Sequence, residues 1–492
     1  MQVSRPDVVV IGAGNAGLCA ALAAREAGAS VVVLEASPKS QRGGNSAYTG
    51  GAMRTVFNGL EDLEKVADID PGMAARSDFG SYSKEDFLDD LATVTEYRCD
   101  PDLAAILVEE SLDALVWMRS QGVRFNTSHG RQAYDVDGRF VFWGGLALEV
   151  NGGGIGLVDS LFDACDRQSV DVRYDHRVIG LMAGANGVEG VKVASPDGII
   201  DMPAGSVVLA AGGFEANAEW RARYLGPGWD LAKVRGTRYN VGDGIRIAID
   251  VGASPAGHWS GCHAVGWDLN APEFGDLTIG DSFQKHSYPW GIIVNANGER
   301  FVDEGADFRN FTYAKYGRQI LAQPGQSAWQ VFDSKIIPML RDEYRIKQVS
   351  KVRANTLEEL VAKMDGVDPA GFLRTVEEFN EAVATEVPYD PNVKDGRRTR
   401  GLAVPKTNWA NPLDEPPFEA YAVTCGITFT FGGVRIDEHG RVIGTGGTPV
   451  GNLYSCGEMA AGIFYFNYPG GSGLTAGSVF GRRAGQAAAL GS

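Results

Sequence analysis

Four residues near the start of the chain have the types and spacing to hold a dinucleotide. Gly12, Gly14 and Gly17 stand in DVVVIGAGNAGLCAALAAREAGASVVVLEAS, and Glu35 comes near its end. In that spacing the first glycine makes a tight turn, the second lets backbone approach a pyrophosphate, and the third lets a helix pack close on a strand. The helix start, with Asn15 and Ala16, faces the phosphates. An acid about 20 residues on, here Glu35 followed by Ala36, accepts from a ribose hydroxyl. With both strands, the helix and the acid in place, we take dinucleotide binding over an ordinary glycine-rich turn. Two further stretches carry reactive side chains. GCHAVGWD (261–268) holds His263, and RFVDEGADFRNFTYAKYGR (300–318) holds Glu304, Asp307 and Arg309. That acidic–basic cluster either relays a proton or forms a solvated charged loop. Near the other end, YFNYPGGSGLTAG (465–477) runs three aromatics into Pro469 and a crowd of glycines. Glycine so dense suits a backbone that passes close to something flat or large.

The elements that must position these residues are legible nearby. Val8 to Ile11 is a continuous apolar run, as in a buried parallel strand. An Ala/Leu helix follows and closes at Gly28, and Val31 to Leu34 is a second strand. Asp100-Pro101 starts an apolar-periodic helix ending near Gly122. GIIVNANGERFVDE (291–304) predicts a hairpin turning at Asn297-Gly298. Thr356 to Glu359 has the form of a capping box, and Asp368-Pro369 offers an N-cap with proline at the first helical position.

Composition sets the bounds. At 492 residues two domains are expected, and 44% hydrophobic with 22% charged residues is an ordinary globular balance. A formal charge of −17 argues against nucleic acid and against an anionic membrane surface. No apolar run reaches the length of a membrane span. Asp7 already begins a strand, so no signal peptide is expected. The six cysteines are scattered with no CxxC or CxxCH. Zinc, iron–sulfur and c-type haem sites therefore lack support, and a reducing, cytoplasmic setting is expected.

RGGNSAYTGGAM (42–53) resembles the flavin-covering loop of the fumarate reductase and succinate dehydrogenase flavoprotein superfamily, which includes urocanate reductases and 3-ketosteroid dehydrogenases. Members with covalent flavin carry a histidine in this loop. Here Gly44 falls near that place and no histidine is present, so the resemblance implies non-covalent FAD. Further motifs follow in order: SVVLAAGGFEAN (206–217), YNVGDGIRIAIDVGA (239–253), NLYSCGEMAAG (452–462) and GGSGL (470–474). The implied cofactor contacts are Gly43, Gly44, Asn45, Ser46, Thr49, Gly50, Gly51, Val178, Ala211, Gly212, Gly213, Asp243, Gly457, Ser472, Gly473 and Leu474. Glu458 is implied to hold the ribityl chain. In the family the backbone of the last motif lies against the flavin ring, with a helix N-terminus facing the pyrimidine edge. The implied fold is α/β: a Rossmann-like FAD-binding domain split in sequence (1–257 and 427–492), with an inserted α+β cap domain (258–426).

The same resemblance implies a hydride passing between a substrate carbon and the flavin, with a proton at the neighbouring carbon. The superfamily's reductases bind dicarboxylates with two histidines and two arginines. His263 matches the first histidine, although a cap histidine bonded to backbone is nearly as good an account. Arg309 matches the proton-donor arginine, one residue farther from Glu304 than in the fumarate reductases. Phe429 stands where the second histidine is expected, and Tyr468 where the second arginine is. EGADFRNFTYAKYGR with FYFNYPGGSGLTAG looks like the tricarballylate dehydrogenase branch. The Tyr-Pro-Gly element is similar to 3-ketosteroid dehydrogenases, in which a tyrosine hydroxyl and a later backbone N–H polarise a ketone; here these would be Tyr468 and the amide of Ser472. Phe429, Tyr465 and Phe466 would line an aromatic pocket. The expectation is an FAD-dependent enzyme that desaturates a Cα–Cβ bond next to a carboxylate or ketone carbonyl. The alternatives are a cyclic-ketone desaturase, a fumarate-reductase-like reductase, and an electron carrier without a substrate of its own. With only one dinucleotide fingerprint, a quinone, a partner protein or dioxygen is left as electron acceptor.

Overall fold

The computed structural model describes residues 5–491. The strands Val8–Ile11 and Val31–Leu34 are joined by the helix Asn15–Glu26, and they lie at the centre of a six-stranded sheet. Its order is 441–443, 449–455, 206–209, 8–11, 31–34, 171–173, parallel except for the antiparallel edge pair 441–443 and 449–455. The apolar run is buried on both faces because each face packs on a different layer. Val8, Val10, Val31 and Val33 face the helices Asn15–Glu26 and Ser472–Leu490. Val9, Ile11, Val32 and Leu34 face Val188, Val191 and Val193 of an antiparallel three-stranded sheet and Ile245 and Ile247 of the helix Asp243–Asp250. A strand buried this way has no polar alternation to show, as its sequence has none.

A second sheet is built around the strand Phe418–Val434, 17 residues long. It pairs antiparallel with Pro255–Asp268, Ser327–Phe332 and Lys351–Ala354, and parallel with Lys233–Val234. The long ribbon from Pro255↔Val434 to Asp268↔Val423 carries the chain away from the first sheet and back. Its register slips between His258 and Cys262 and again between His263 and Ala264. Such irregularities re-aim side chains next to sites, and here they flank His263.

The caps read from sequence are present. Asp100 accepts from the Asp102 and Leu103 amides before Pro101–Gln121, and that helix ends at Gly122 with φ 105°. Asp368 accepts from Gly371 N. Thr356 accepts from Glu359 N, but the Glu359 carboxylate reaches back to Asn355 N rather than to Thr356 N. The hairpin at 291–304 is only half formed. The turn exists, with Gly298 at φ 74°, yet Ile292–Val294 pairs with Ser327–Phe332 and meets the return segment only at Val294↔Arg300. Two buried charges pull the return segment away: Arg300 pairs with Glu304 and donates to the carbonyls of Val404 and Pro405.

Candidate active site

The segments singled out for a dinucleotide converge on one long cavity. Its wall takes Gly12, Gly14, Asn15 and Ala16 from the first turn, and Glu35 and Ala36 from the end of the second strand. Gly44, Asn45, Ser46, Thr49 and Gly50 come from the 42–53 loop. Val178, Ala211, Gly212, Asp243, Gly457, Glu458, Gly473 and Leu474 complete that half. Five residues expected there lie behind the wall instead. A Cβ on Gly17 would fall on the Gly12 carbonyl, so Gly17 is a packing glycine. Gly43 is held at φ 102° against Val158, Gly51 at φ 71° against Gly153, and Gly213 against Glu458 and Thr430. Ser472 turns inward: its N–H (3.1 Å) and its hydroxyl (2.6 Å) both donate to the Pro469 carbonyl. The Ser472 amide proposed to polarise a carbonyl with Tyr468 is thus taken up within the turn, and Ser472 does not line the cavity.

The lining fits FAD. Gly12, at φ 101°, has no room for a side chain against Ala210 and Ala211, so only bare backbone passes there. The buried Glu35 carboxylate is locked in place by the amides of Ala13 and Ser37, each at 2.8 Å. The helices starting at Asn15 and Ser472 are tied to each other where Asn15 Nδ2 donates to the Leu474 carbonyl at 2.9 Å. The 42–53 loop has no histidine for covalent attachment.

The other half of the cavity is lined by Arg131, Gln132, Arg235, His263, Asp281, Gln284, His286, Arg309, Asn310, Tyr313, Phe429 and Tyr468. Tyr313 and Tyr468 share a hydroxyl–hydroxyl hydrogen bond. Burial raises both phenols above the ordinary tyrosine range, Tyr468 well above it. His263 sits edge-on to both rings, 5.0 Å from Tyr313 and 4.8 Å from Tyr468 between centroids, and 5.4 Å from Phe429. His286 meets the Tyr313 ring at 4.8 Å. Both imidazoles are buried with neither ring nitrogen hydrogen-bonded. Burial, with nearby arginines, holds both well below the usual histidine range, so both are neutral at neutral pH.

Arg309 lies in the short turn Arg309–Phe311, 5% exposed, donating to the Arg131 carbonyl at 2.6 Å and leaving Nε without a partner. Burial, and then Arg341 and Arg131 beside it, push its guanidinium down to about 9. Arg235 pairs with Asp281, Arg341 with Glu343 and Arg131 with Glu149. Arg309 has no carboxylate partner among the described residues. The cluster therefore holds an uncompensated buried cation with a free N–H, beside a second free N–H on Arg341 Nη1.

The Glu304–Asp307–Arg309 cluster does not form. Glu304 is fully buried on Arg300 and the Ile293 amide, and Asp307 faces Lys394. The aromatic pocket also differs from expectation. Tyr465 and Phe466 pack on His258 outside the cavity, and Phe431 and Phe464 join Phe429 and Tyr468 in lining it. Sequence reasoning missed Arg131, Arg235, His286, Tyr313 and Arg341. Tyr313 was within reach, four residues after Arg309 at the start of the helix Tyr313–Leu321. The others stand alone in segments without a motif.

Comparisons with known proteins identify the family. The pattern of a family described as FAD binding domain matches residues 7–474. A probable fumarate reductase of Shewanella frigidimarina is 30% identical over 490 residues, 98% of this chain and 74% of its own length. A 3-oxosteroid 1-dehydrogenase of Mycobacterium tuberculosis is 26% identical, covering 96% of each chain. Among solved structures, the open conformation of a flavocytochrome c3 fumarate reductase superposes with a TM-score of 0.74 at 27% identity, covering 100% of this chain and 79% of that one. A 3-ketosteroid Δ1-dehydrogenase from Sterolibacterium denitrificans shares the fold, with a TM-score of 0.75 at 22% identity over 100% of both chains. No helix among the described residues is long and apolar enough to cross a membrane.

Proposed function

The chain belongs to the FAD binding domain family and is an FAD-dependent oxidoreductase acting on carbon–carbon bonds; from that premise we propose that it dehydrogenates a Cα–Cβ bond next to a carbonyl in a carboxylate-bearing substrate, in the manner of a tricarballylate dehydrogenase. The observation that carries the reading is the buried, uncompensated Arg309 with its free Nε, crowded by Arg131 and Arg341. A cation held among cations in a dry site is relieved when a carboxylate arrives, and a charge-assisted hydrogen bond forms at the same time.

FAD, when bound, would supply the two-electron oxidising capacity needed to desaturate the Cα–Cβ bond. The backbone of Gly12 and Gly14, the carboxylates of Glu35 and Glu458, Asn45, Ser46 and the start of the helix at Gly473 and Leu474 would hold it. The chain's own residues handle the rest. Arg309, with Arg131 behind it, binds and orients the carboxylate. Tyr468, neutral because burial raises its phenol well above the usual range, keeps its proton at neutral pH and can donate it in a hydrogen bond. It therefore hydrogen-bonds the carbonyl oxygen whose charge grows as the α-proton leaves. The neutral imidazoles of His263 and His286, each with unpaired ring nitrogens, are assigned to take that proton in preference to the unpaired Oδ2 of Asp281, whose carboxylate is held by Arg235. Phe429, Phe431 and Phe464 exclude water from the same space.

A second reading, reduction of a double bond, has one support: the fumarate reductases among the relatives. The deciding experiment mixes oxidised holoenzyme anaerobically with di- and tricarboxylates, and separately with neutral cyclic ketones, while flavin absorbance is followed. Bleaching by a saturated carboxylate supports the proposal. Bleaching by a ketone alone replaces it with a ketone desaturase. Re-oxidation of reduced enzyme by fumarate, with no bleaching by either class, replaces it with a reductase.

A further inference from the structure

Behind the cofactor half of the cavity two carboxyl groups face each other with no cation between them. Glu458 lines the cavity, and its Oε1 accepts from the Thr430 amide at 2.7 Å and from the Thr430 hydroxyl at 3.2 Å. Glu215 lies behind it, fully buried. Its Oε1 accepts from Asn45 Nδ2 at 2.5 Å and from Asn240 Nδ2 at 2.6 Å, while its Oε2 has no conventional donor. The two side chains are within hydrogen-bond reach of each other. Two ionised carboxylates cannot hydrogen-bond, whereas one that keeps its proton donates to the other.

One cation stands near the pair, and it hydrogen-bonds neither carboxylate. From the turn at 221, Arg221 spends its guanidinium on the carbonyls of Glu215, Trp229, Asp230 and Ala232. From the strand Pro255–Asp268, the Cys262 thiol is pushed up to about 12 by burial and stays neutral. Thr428 and Thr430, on the strand opposite, carry no charge.

We propose that Glu215 and Glu458 share one proton, and that Glu215 is a positioning residue for FAD, acting through Asn45, Asn240 and Glu458. Asn45 comes from the 42–53 loop, Asn240 from the turn before the helix Asp243–Asp250, and Glu458 from the turn Gly457–Met459. All three line the cavity. The shared proton therefore bolts three separate walls of the cofactor site to one buried point. The pair is not part of the substrate chemistry proposed above and stands or falls apart from it.

Burial and the Glu458 charge push the Glu215 carboxyl well up, and burial pushes Glu458 up to about 7. A raised carboxyl favours the protonated native state, so the bolt is intact at acid and neutral pH and is lost as pH rises past neutrality. Glu215→Gln keeps the geometry without the shared proton, because an amide NH2 still donates to Glu458 once Glu458 is ionised, while its carbonyl still accepts from Asn45 and Asn240.

The test measures FAD dissociation from wild type and from Glu215→Gln between ~pH 6 and ~pH 8.5 by recovery of flavin fluorescence. Wild type should release FAD about tenfold more readily at the alkaline end, while Glu215→Gln stays within about twofold of its acid value. Parallel slopes in the two proteins, or a flat wild type, overturn the proposal. A second measurement needs no variant. The infrared spectrum of wild-type holoenzyme at neutral pH should contain a protonated carboxylic acid band that shifts in D2O and titrates away as pH rises, and its absence also overturns the proposal.

Discussion

At the scale of single residues, the tyrosine pair and the two histidines divide the acid and base roles by burial. Tyr468 and Tyr313 are hydrogen-bonded to each other, so neither phenol is a free base, and Tyr468 is suited to donate. Tyr468→Phe should slow flavin reduction by substrate about 10²–10³-fold, the usual loss when one donor to a growing oxyanion is removed. FAD content, read from the ratio of flavin to protein absorbance, should stay at the wild-type level. The histidines give a pH signature. Burial, with Arg235 near both, disfavours their charged forms. The neutral base therefore survives below the ordinary imidazole range and is lost only as pH falls through the lowered value. The rate of flavin reduction should show no acid inflection near ~6.5; an inflection there would mean that a solvated histidine is the base. Arg309→Met should weaken binding of a carboxylate substrate by about 2–3 kcal/mol. An unchanged Kd, measured by flavin spectral titration, would sink its assigned role.

At the scale of elements, the site depends on two helices held unusually close. Gly477, Gly481 and Gly485 recur at every fourth position of Ser472–Leu490 and face Asn15–Glu26. A Cβ on Gly485 would fall on the Ala20 carbonyl, and one on Gly481 would come within 2.5 Å of the Ala16 carbonyl. Both helix starts line the cavity, so their separation sets the width of the cofactor site. Gly485→Leu should cost about 1–3 kcal/mol by overpacking. It should also weaken FAD retention although residue 485 does not line the cavity, and tight FAD binding at wild-type levels in a folded variant would show that the spacing is unimportant. The contrast between the halves of the cavity explains what the sequence discloses. Phosphates and ribose are recognised by backbone and one acid over a short local stretch, so Gly12, Gly14 and Glu35 appear as a spacing. Burial on both faces appears as an unbroken apolar run at Val8–Ile11 and Val31–Leu34. The substrate half is assembled by side chains from near 131, 235, 263, 286, 309, 341, 429 and 468. His263, Arg309, Phe429 and Tyr468 are reached only through the resemblance of the motifs around them, and Arg131, Arg235, His286 and Arg341 stand in segments without a motif. The failed hairpin has the same root: Asn297-Gly298 specifies the turn, but the Arg300–Glu304 pair, buried by a distant segment near 405, decides where the return chain goes.

At the scale of the whole molecule, the charge of the chain and the charge of its pocket are opposed. The chain carries a formal −17, while Arg131, Arg235, Arg309 and Arg341 cluster around the buried substrate space. An anionic substrate approaching through solvent meets the net negative field first, and the arginines act only after it has entered. Salt separates the two. At about 0.01 M ionic strength the screening length is about 30 Å and the repulsion spans the protein; at about 0.15 M it is about 8 Å and the repulsion is confined to the surface. The buried cluster, dry and paired with the bound anion, is screened little in either case. Raising ionic strength over that range should therefore speed association of a di- or tricarboxylate several-fold while leaving its dissociation rate nearly constant. Stopped-flow mixing with oxidised holoenzyme, at substrate concentrations where binding limits the flavin signal, separates the two rates. A neutral ketone of similar size serves as control and should show no salt effect on association. If association of the carboxylate instead slows as salt is added, the positive field of the pocket reaches beyond its mouth and the cluster steers the substrate as well as holding it.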